Sequence, residues 1–255
     1  FNTMKKKLGL IQTGGLGDIH IALPIALFYH KKNFEIYWPI IENWVTQMKH
    51  YVPWINWIGI SRENKDQAYN EPVKILDSIG VEKKIPLYNF LRSKPELSNT
   101  PYFPFVPFDK FKYIKAGVPF FYKWKLNECI KRDTHREDEI FNKFVKNKNF
   151  VVTHIKASNH TAAFDLSLIP KDFQVVEITN DGFVLDWLKV IEKAKMLFMT
   201  NSVMANITEQ LNINNTKYYI PRLNMITNPV FINNWIWIKN ENLKIPHIGK
   251  KRIYI

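Results

Sequence analysis

Asp18 stands where a carboxylate can do chemistry. It follows Thr13-Gly14-Gly15-Leu16-Gly17, a glycine-rich turn. Beyond it Ile19, Ala22, Leu23, Ala26 and Leu27 recur at helical spacing. Such a turn exposes backbone N–H groups beside the positive end of a helix, which suits phosphate or another anion. A carboxylate is electrostatically favoured there, and at the mouth of an α/β cleft it is a candidate general base. Aspartate is also a common helix cap, so the residues alone leave capping and catalysis both open. A second polar turn, Thr200-Asn201-Ser202, opens another helical stretch, and Ser202 either caps it or offers its hydroxyl to a phosphate oxygen. Lys156, His154 and His160 follow the apolar run Phe150–Ile155, and Arg222 follows Thr216–Ile220. Each could meet charge on a departing phosphate, and each could equally be a solvated surface residue. His20, inside the first helix, reads as buried, with a minor positioning role at most.

Other phosphate motifs fit poorly. The dinucleotide fingerprint needs a third glycine where Ile19 and His20 lie, and an acid closing the second strand; Glu35–Trp38 runs into Pro39 without one. No Gly-Lys-Ser/Thr follows the turn, which excludes a P-loop. Histidines occur singly and no Asp-x-Asp pair stands in a plausible turn, so no metal site is expected. Cys129 is the single cysteine, which excludes an intrachain disulfide and points to a reducing cytoplasm.

Alternating elements must position these groups. Strand–helix alternation is expected from Lys7 to Ile60: strands Lys7–Gln12, Glu35–Trp38 and Trp54–Ile60, with helices Ile19–His30 and Ile41–Tyr51 between them. A helix at Val73–Gly80 and a strand at Lys84–Leu87 follow. Ser93–Pro119 reads as irregular because five prolines crowd it, and a charged helix is expected over Glu128–Lys146. A second alternating unit comprises strands Phe150–Ile155, Phe173–Ile178, Met196–Thr200 and Thr216–Ile220, and helices Phe183–Ala194 and Ser202–Leu211. The pattern implies two parallel-sheet domains, 1–146 and 147–255, hinged at Asn147-Lys148-Asn149, with the last segment able to pack back on the first.

Composition bounds the partners. The 255 residues carry 36 Lys and Arg against 23 Asp and Glu, a net charge of +13 that favours a polyanion: nucleic acid, or an anionic membrane and its glycans. Abundant Asn, Lys and Ile suggest that part of this charge is compositional. No apolar run reaches transmembrane length and no signal-peptide core is evident; Phe1-Asn2-Thr3 ahead of Met4 reads as an appendage. Tyr102–Lys125 interleaves aromatics with lysines, which suits base stacking with phosphate contacts, or an aromatic-anchored membrane surface, or a loop packed onto the core. Lys112, Lys115, Tyr122 and Trp124 are the acceptor-binding candidates from this stretch.

Gly15-Leu16-Gly17-Asp18-Ile19-His20-Ile21-Ala22-Leu23-Pro24 resembles the N-terminal motif of the bacterial heptosyltransferase family, Gly-Leu-Gly-Asp followed by apolar residues and Leu-Pro. Thr200–Leu211 is similar to that family's C-terminal motif, Asp-Ser/Thr-Gly-x-x-His-Leu-x-Ala-Ala, and the two occur in the family's order. The resemblance implies an α/β GT-B fold: two Rossmann-like domains with a cleft between them, the donor held by the second and the acceptor by the first. It further implies inverting transfer from a nucleoside-diphosphate sugar without metal or cofactor, with Asp18 as base. Gly15 and Gly17 would then let backbone approach the diphosphate, which Thr200, Asn201 and Ser202 bind, with Lys156 and Arg222 as cationic donor contacts. Asn201 replaces an Asp, Val203 a Gly, Asn206 a His and Glu209-Gln210 an Ala pair, so donor and acceptor do not carry over. Three functions follow. The first is a glycosyltransferase acting on nucleic acid, such as a hydroxymethylated base of phage-type DNA in a host cytoplasm, which the charge favours and which needs the base extruded. The second is a surface-glycan glycosyltransferase, with peripheral membrane association. The third is a non-catalytic nucleotide-sugar or nucleic-acid binding module.

Overall fold

The computed structural model describes residues 5–61, 68–102, 105–157, 160–222 and 228–242. Strand β1 (Lys6–Ile11) is buried from Leu8 onward and lies inside a parallel sheet. Its helix α1 (Leu16–Lys31) leads to β2 (Phe34–Ile41), α2 (Glu42–Tyr51), β3 (Asn56–Ile60), α3 (Asn70–Ser78) and β4 (Lys83–Pro86), giving the sheet order β3-β2-β1-β4. β2 runs three residues past its expected end; Pro39 is tolerated because it lies beyond the stretch, Phe34–Tyr37, that pairs with β1. The order reverses between β1 and β4, and such a switch point opens a crevice at the carboxyl ends of the strands.

Ser93–Pro119 is not wholly irregular. It contains α4 (Phe108–Ala116), entered from Pro107 and ended by Gly117 at φ 63°. The surrounding prolines hide the spacing of Phe108, Phe111, Lys112 and Tyr113, all of which are buried. Phe120–Glu128 forms 3₁₀ turns, and α5 (Thr134–Phe144) begins later than expected, where Asp133 accepts the Arg136 N–H as its cap.

The second sheet follows. Its first strands are β5 (Phe150–His154) and β8 (Gln174–Glu177), and between them in sequence the short antiparallel pair β6 (Lys156–Ala157) and β7 (His160–Thr161) forms a hairpin of its own. After 3₁₀ turns at Val184–Trp187 come α6 (Leu188–Lys193), β9 (Met196–Thr200), α7 (Val203–Gln210), β10 (Thr216–Ile220) and β11 (Trp235–Trp237). The main strands are parallel in the order β11-β10-β9-β5-β8, with the switch between β5 and β9. Neither the hairpin nor β11 is evident in the sequence. Although α5 precedes Asn147, it packs on this second core: Phe144 lies 4.8 Å from Trp187 and Phe141 6.1 Å from Phe150.

α1 joins the halves. It is buried without interruption from Ile19 to Leu27, as a helix apolar all round must be. Its core cluster takes in Phe183, Leu185, Leu188 and Ile207 from the second half. Pro24 has no N–H for the His20 carbonyl, and the Gln210 amide of α7 donates to that oxygen instead at 3.0 Å. Glu209 accepts Trp124 Nε1, Ile232 N and Trp235 Nε1, each at 2.8 Å, and Tyr51 donates to Asp186.

Candidate active site where two helix tips meet

The glycine turn is held from three sides. Trp38 Nε1 donates to the Gln12 carbonyl (3.1 Å), Gln12 Nε2 to the Gly14 carbonyl (2.6 Å), and the Thr13 N–H to the Tyr88 hydroxyl (3.2 Å). Gly15 adopts φ 77°, ψ 86°, and a Cβ there would lie 2.6 Å from Asp18 Oδ2, so both backbone and space require glycine. Asp18 is the third residue of α1, with its side chain about one-third exposed (32%). Its Oδ1 is shut off from solvent and faces the Lys112 ammonium at 2.9 Å as an ion pair rather than a directed hydrogen bond.

Gly17 decides the geometry. A Cβ on it would stand 3.4 Å from Val203 Cα, an ordinary contact distance, so the N-terminal tips of α1 and α7 adjoin with room for little more than a methyl between them. Asp18 and Ser202 are the residues flanking that contact. Gly17 therefore faces the tip of the second helix across an ordinary packing distance. Two positive helix ends converging on one point form a strong anion site.

Ser202 is the N-cap of α7, its Oγ accepting the Ala205 N–H at 3.4 Å and lying 2.8 Å from His154 Nδ1 at the end of β5. Burial lowers the His154 pKa to about 4, with Glu177 acting weakly the other way, so this imidazole is neutral near pH 7. Asn206 donates to the Ser202 carbonyl at 2.9 Å, while its buried Oδ1 finds no partner among the described residues.

Around the same sheet edge stand Lys156, Glu177, His160 and Arg222. Lys156 is exposed and pairs with Glu177 at 2.9 Å; His160 lies 3.1 Å from Asn240 Nδ2, and burial followed by the Arg222 charge lowers its pKa. Glu177 ends the second strand of a Rossmann-like half, the position from which an acid reaches a ribose hydroxyl. The sequence showed Glu177 but the strand order needed to see its position was lacking.

Several expected roles change. Thr200 is fully buried and its hydroxyl donates to the Ile220 carbonyl at 2.9 Å, because β9 lies inside the sheet; Asn201 is also buried. Lys112 is fully buried on the inner face of α4 rather than displayed to an acceptor. Tyr122 packs edge-on against Phe28, three turns along α1 from the glycine turn, and Trp124 is tied to Glu209. Lys115 alone of those four is exposed. Phe103, from the same stretch, lies outside the described residues.

Among the described residues no group of three or more His, Cys, Asp or Glu stands close enough to hold a metal ion, and no helix is long and apolar enough to cross a membrane. A cavity of about 360 Å³ lies elsewhere, lined by Gln47, Arg136, Lys143 and Asp186 among others, and shares no residue with this site.

Neither a family model nor a curated protein sequence matches the chain. Solved structures do. A glycosyl transferase family 9 protein from Veillonella parvula matches with TM-score 0.58 at 12% identity, over 92% of this chain and 87% of that one. The fold is that of the heptosyltransferases. E. coli heptosyltransferase WaaC, solved with ADP-2-deoxy-2-fluoro heptose, matches with TM-score 0.51 at 10% identity over 91% and 92%. The iron-containing dodecameric glycosyltransferase TibC of enterotoxigenic E. coli matches with TM-score 0.55 at 10% identity; this chain covers 91% of itself and 62% of TibC. These likenesses bear out the two-sheet GT-B architecture expected from the paired motifs.

Proposed function

We propose that this protein transfers a sugar from a nucleoside-diphosphate sugar to an acceptor hydroxyl, by inverting, metal-independent displacement. One observation carries the reading: Gly17, the neighbour of Asp18, faces Val203, the neighbour of Ser202, so the helix tip that bears the aspartate adjoins the one whose cap lies against His154. Asp18 removes the acceptor proton as the hydroxyl attacks the anomeric carbon. The bond to the diphosphate breaks on the opposite face, and its electron pair leaves with the diphosphate oxygen. The tips of α1 and α7 meet that charge with fixed dipoles, which need no reorganisation at the moment of reaction. With the Ser202 hydroxyl donating to Nδ1, the neutral His154 ring keeps its proton on Nε2 and can donate to a phosphate oxygen. Lys156 and Arg222 supply cations at the same edge, and Glu177 an acceptor for the nucleoside ribose. The likeness to structures solved with ADP-sugars supports this reading.

The acceptor is a polyanion, as the net charge of +13 supports. Of the two candidates, an acidic surface glycan fits better than DNA. Phe108, Phe111 and Tyr113 are buried, and Tyr122 and Trp124 are bound to other elements, so of the described aromatics in this stretch only Tyr102, Phe105 and Phe121 stand exposed to stack bases.

The test is turnover and thermal shift across a panel of sugar nucleotides. Asp18→Asn keeps the fold and the shift but lowers turnover about 10²- to 10⁴-fold, the usual contribution of a positioned base. Normal turnover in that variant removes the base. A gel shift with duplex and single-stranded DNA over a salt series separates the acceptors: tight, salt-dependent binding returns DNA to first place.

A further inference from the structure

A buried charge beside Asp18 is not used by the mechanism. Lys112 is wholly enclosed on α4, and burying an ammonium costs several kcal/mol unless it is paired and hydrogen-bonded. Its Nζ donates to Gln12 Oε1 at 2.9 Å and to the Leu87 carbonyl at 2.5 Å, and it faces Asp18 Oδ1 at 2.9 Å. The two neutral acceptors come from the ends of β1 and β4, the strands that border the switch point. The ammonium is thereby fixed to the sheet, not to the helix that carries the aspartate.

We infer that Lys112 is a positioning residue for Asp18, clamping one carboxylate oxygen so that the other is presented to the acceptor hydroxyl. This rests on the proposed glycosyl transfer. Oδ1 is closed to solvent, so the exposed third of the side chain lies on its other atoms, and Oδ2 stands over Gly15. A carboxylate free to spin about χ2 would offer either oxygen in many directions. Held at Oδ1 by a cation tied to two strands, it has one orientation, and a base must be placed within hydrogen-bond reach to act. α4 itself is held along α1, with Tyr113 donating to the Ile21 carbonyl (2.8 Å) and Tyr29 to the Ala116 carbonyl (2.6 Å). Tied to α1 through its own helix and to two strands through its ammonium, the lysine keeps one position relative to Asp18.

The experiment is a double-mutant cycle on turnover, using the sugar nucleotide that the full wild-type chain cleaves fastest and reading release of nucleoside diphosphate. Lys112→Met lowers kcat about ten- to a hundredfold, the scale of an ångström-level misplacement, while KM for the donor changes less than about threefold. In the Asp18→Asn background the same substitution has no further effect on kcat. Lys112→Gln, which keeps a donor for the buried carbonyl, replaces the methionine variant if that one does not fold. A folded Lys112 variant with wild-type kcat, or one that lowers kcat equally in both backgrounds, overturns the positioning role and leaves Asp18 as base. Undiminished turnover in Asp18→Asn instead ends the transfer reading and this inference with it.

Discussion

His20 lies within the contact between the halves, fully buried, with Nδ1 on the Leu16 carbonyl at 2.7 Å and its ring 6.1 Å from that of Phe183. Burial lowers its pKa to about 4 from 6.5, the backbone contact opposing only in part. The fold thus prefers the neutral ring. Its contribution is whole above pH 6.5 and is lost as pH falls from there towards 4, because the unfolded chain takes up the proton first. The loss is on the order of 3 kcal/mol. His154 runs in the same direction. Thermal midpoints should therefore fall across that window, and His20→Gln should flatten the slope; an unchanged slope would remove His20 as a source. Two glycines offer a contrasting pair. Gly15→Ala places a methyl 2.6 Å from Asp18 Oδ2 at positive φ, costing roughly 1–2 kcal/mol and displacing the carboxylate, so turnover collapses. Gly17→Ala meets Val203 at 3.4 Å, an ordinary contact, so turnover stays within severalfold of wild type. Equal kinetics for the two variants would contradict the geometry.

At the scale of elements, the tie between α1 and α7 comes from a broken ladder. Pro24 frees the His20 carbonyl and Gln210 satisfies it, also donating to the Lys123 carbonyl at 3.2 Å. Gln210→Leu leaves both acceptors buried and should cost about 2–6 kcal/mol at one to three per orphaned group, read as a lower denaturation midpoint with unchanged m-value. An unaltered midpoint would show the bridge to be idle. Strands and helices with local signals were legible before folding: β9 and β10 have the limits their sequence implied, since apolar runs bounded by polar turns need no distant partner to be seen. α4 and β11 were not, because the burial of α4 depends on α1 and the mostly exposed β11 is defined only by its pairing with β10. The site divides in the same way. Gly15, Asp18 and Ser202 announce themselves by turn chemistry. Lys112 looks like any surface lysine between aromatics until α4 is laid along α1, and His154 becomes a partner of Ser202 only when β5 pairs with β9.

The whole molecule has two sheets but no clean division. Phe183, Leu185, Leu188 and Ile207 complete the core around α1, and the buried pair Lys123–Asp109 holds both the carbonyl and the N–H of Val230. Unfolding one half strips apolar cover from the other. A single calorimetric transition, with calorimetric and van't Hoff enthalpies equal, is expected despite the length of 255 residues; two resolved transitions would show that the halves stand apart. The adjoining helix tips at Gly17 and Val203 carry this into catalysis. Enzymes whose lobes must swing shut lose part of their apparent affinity to the rarity of the closed form. Here the shared core around α1 already holds the two tips together, so reactants are expected to enter along the rim instead of waiting to be engulfed.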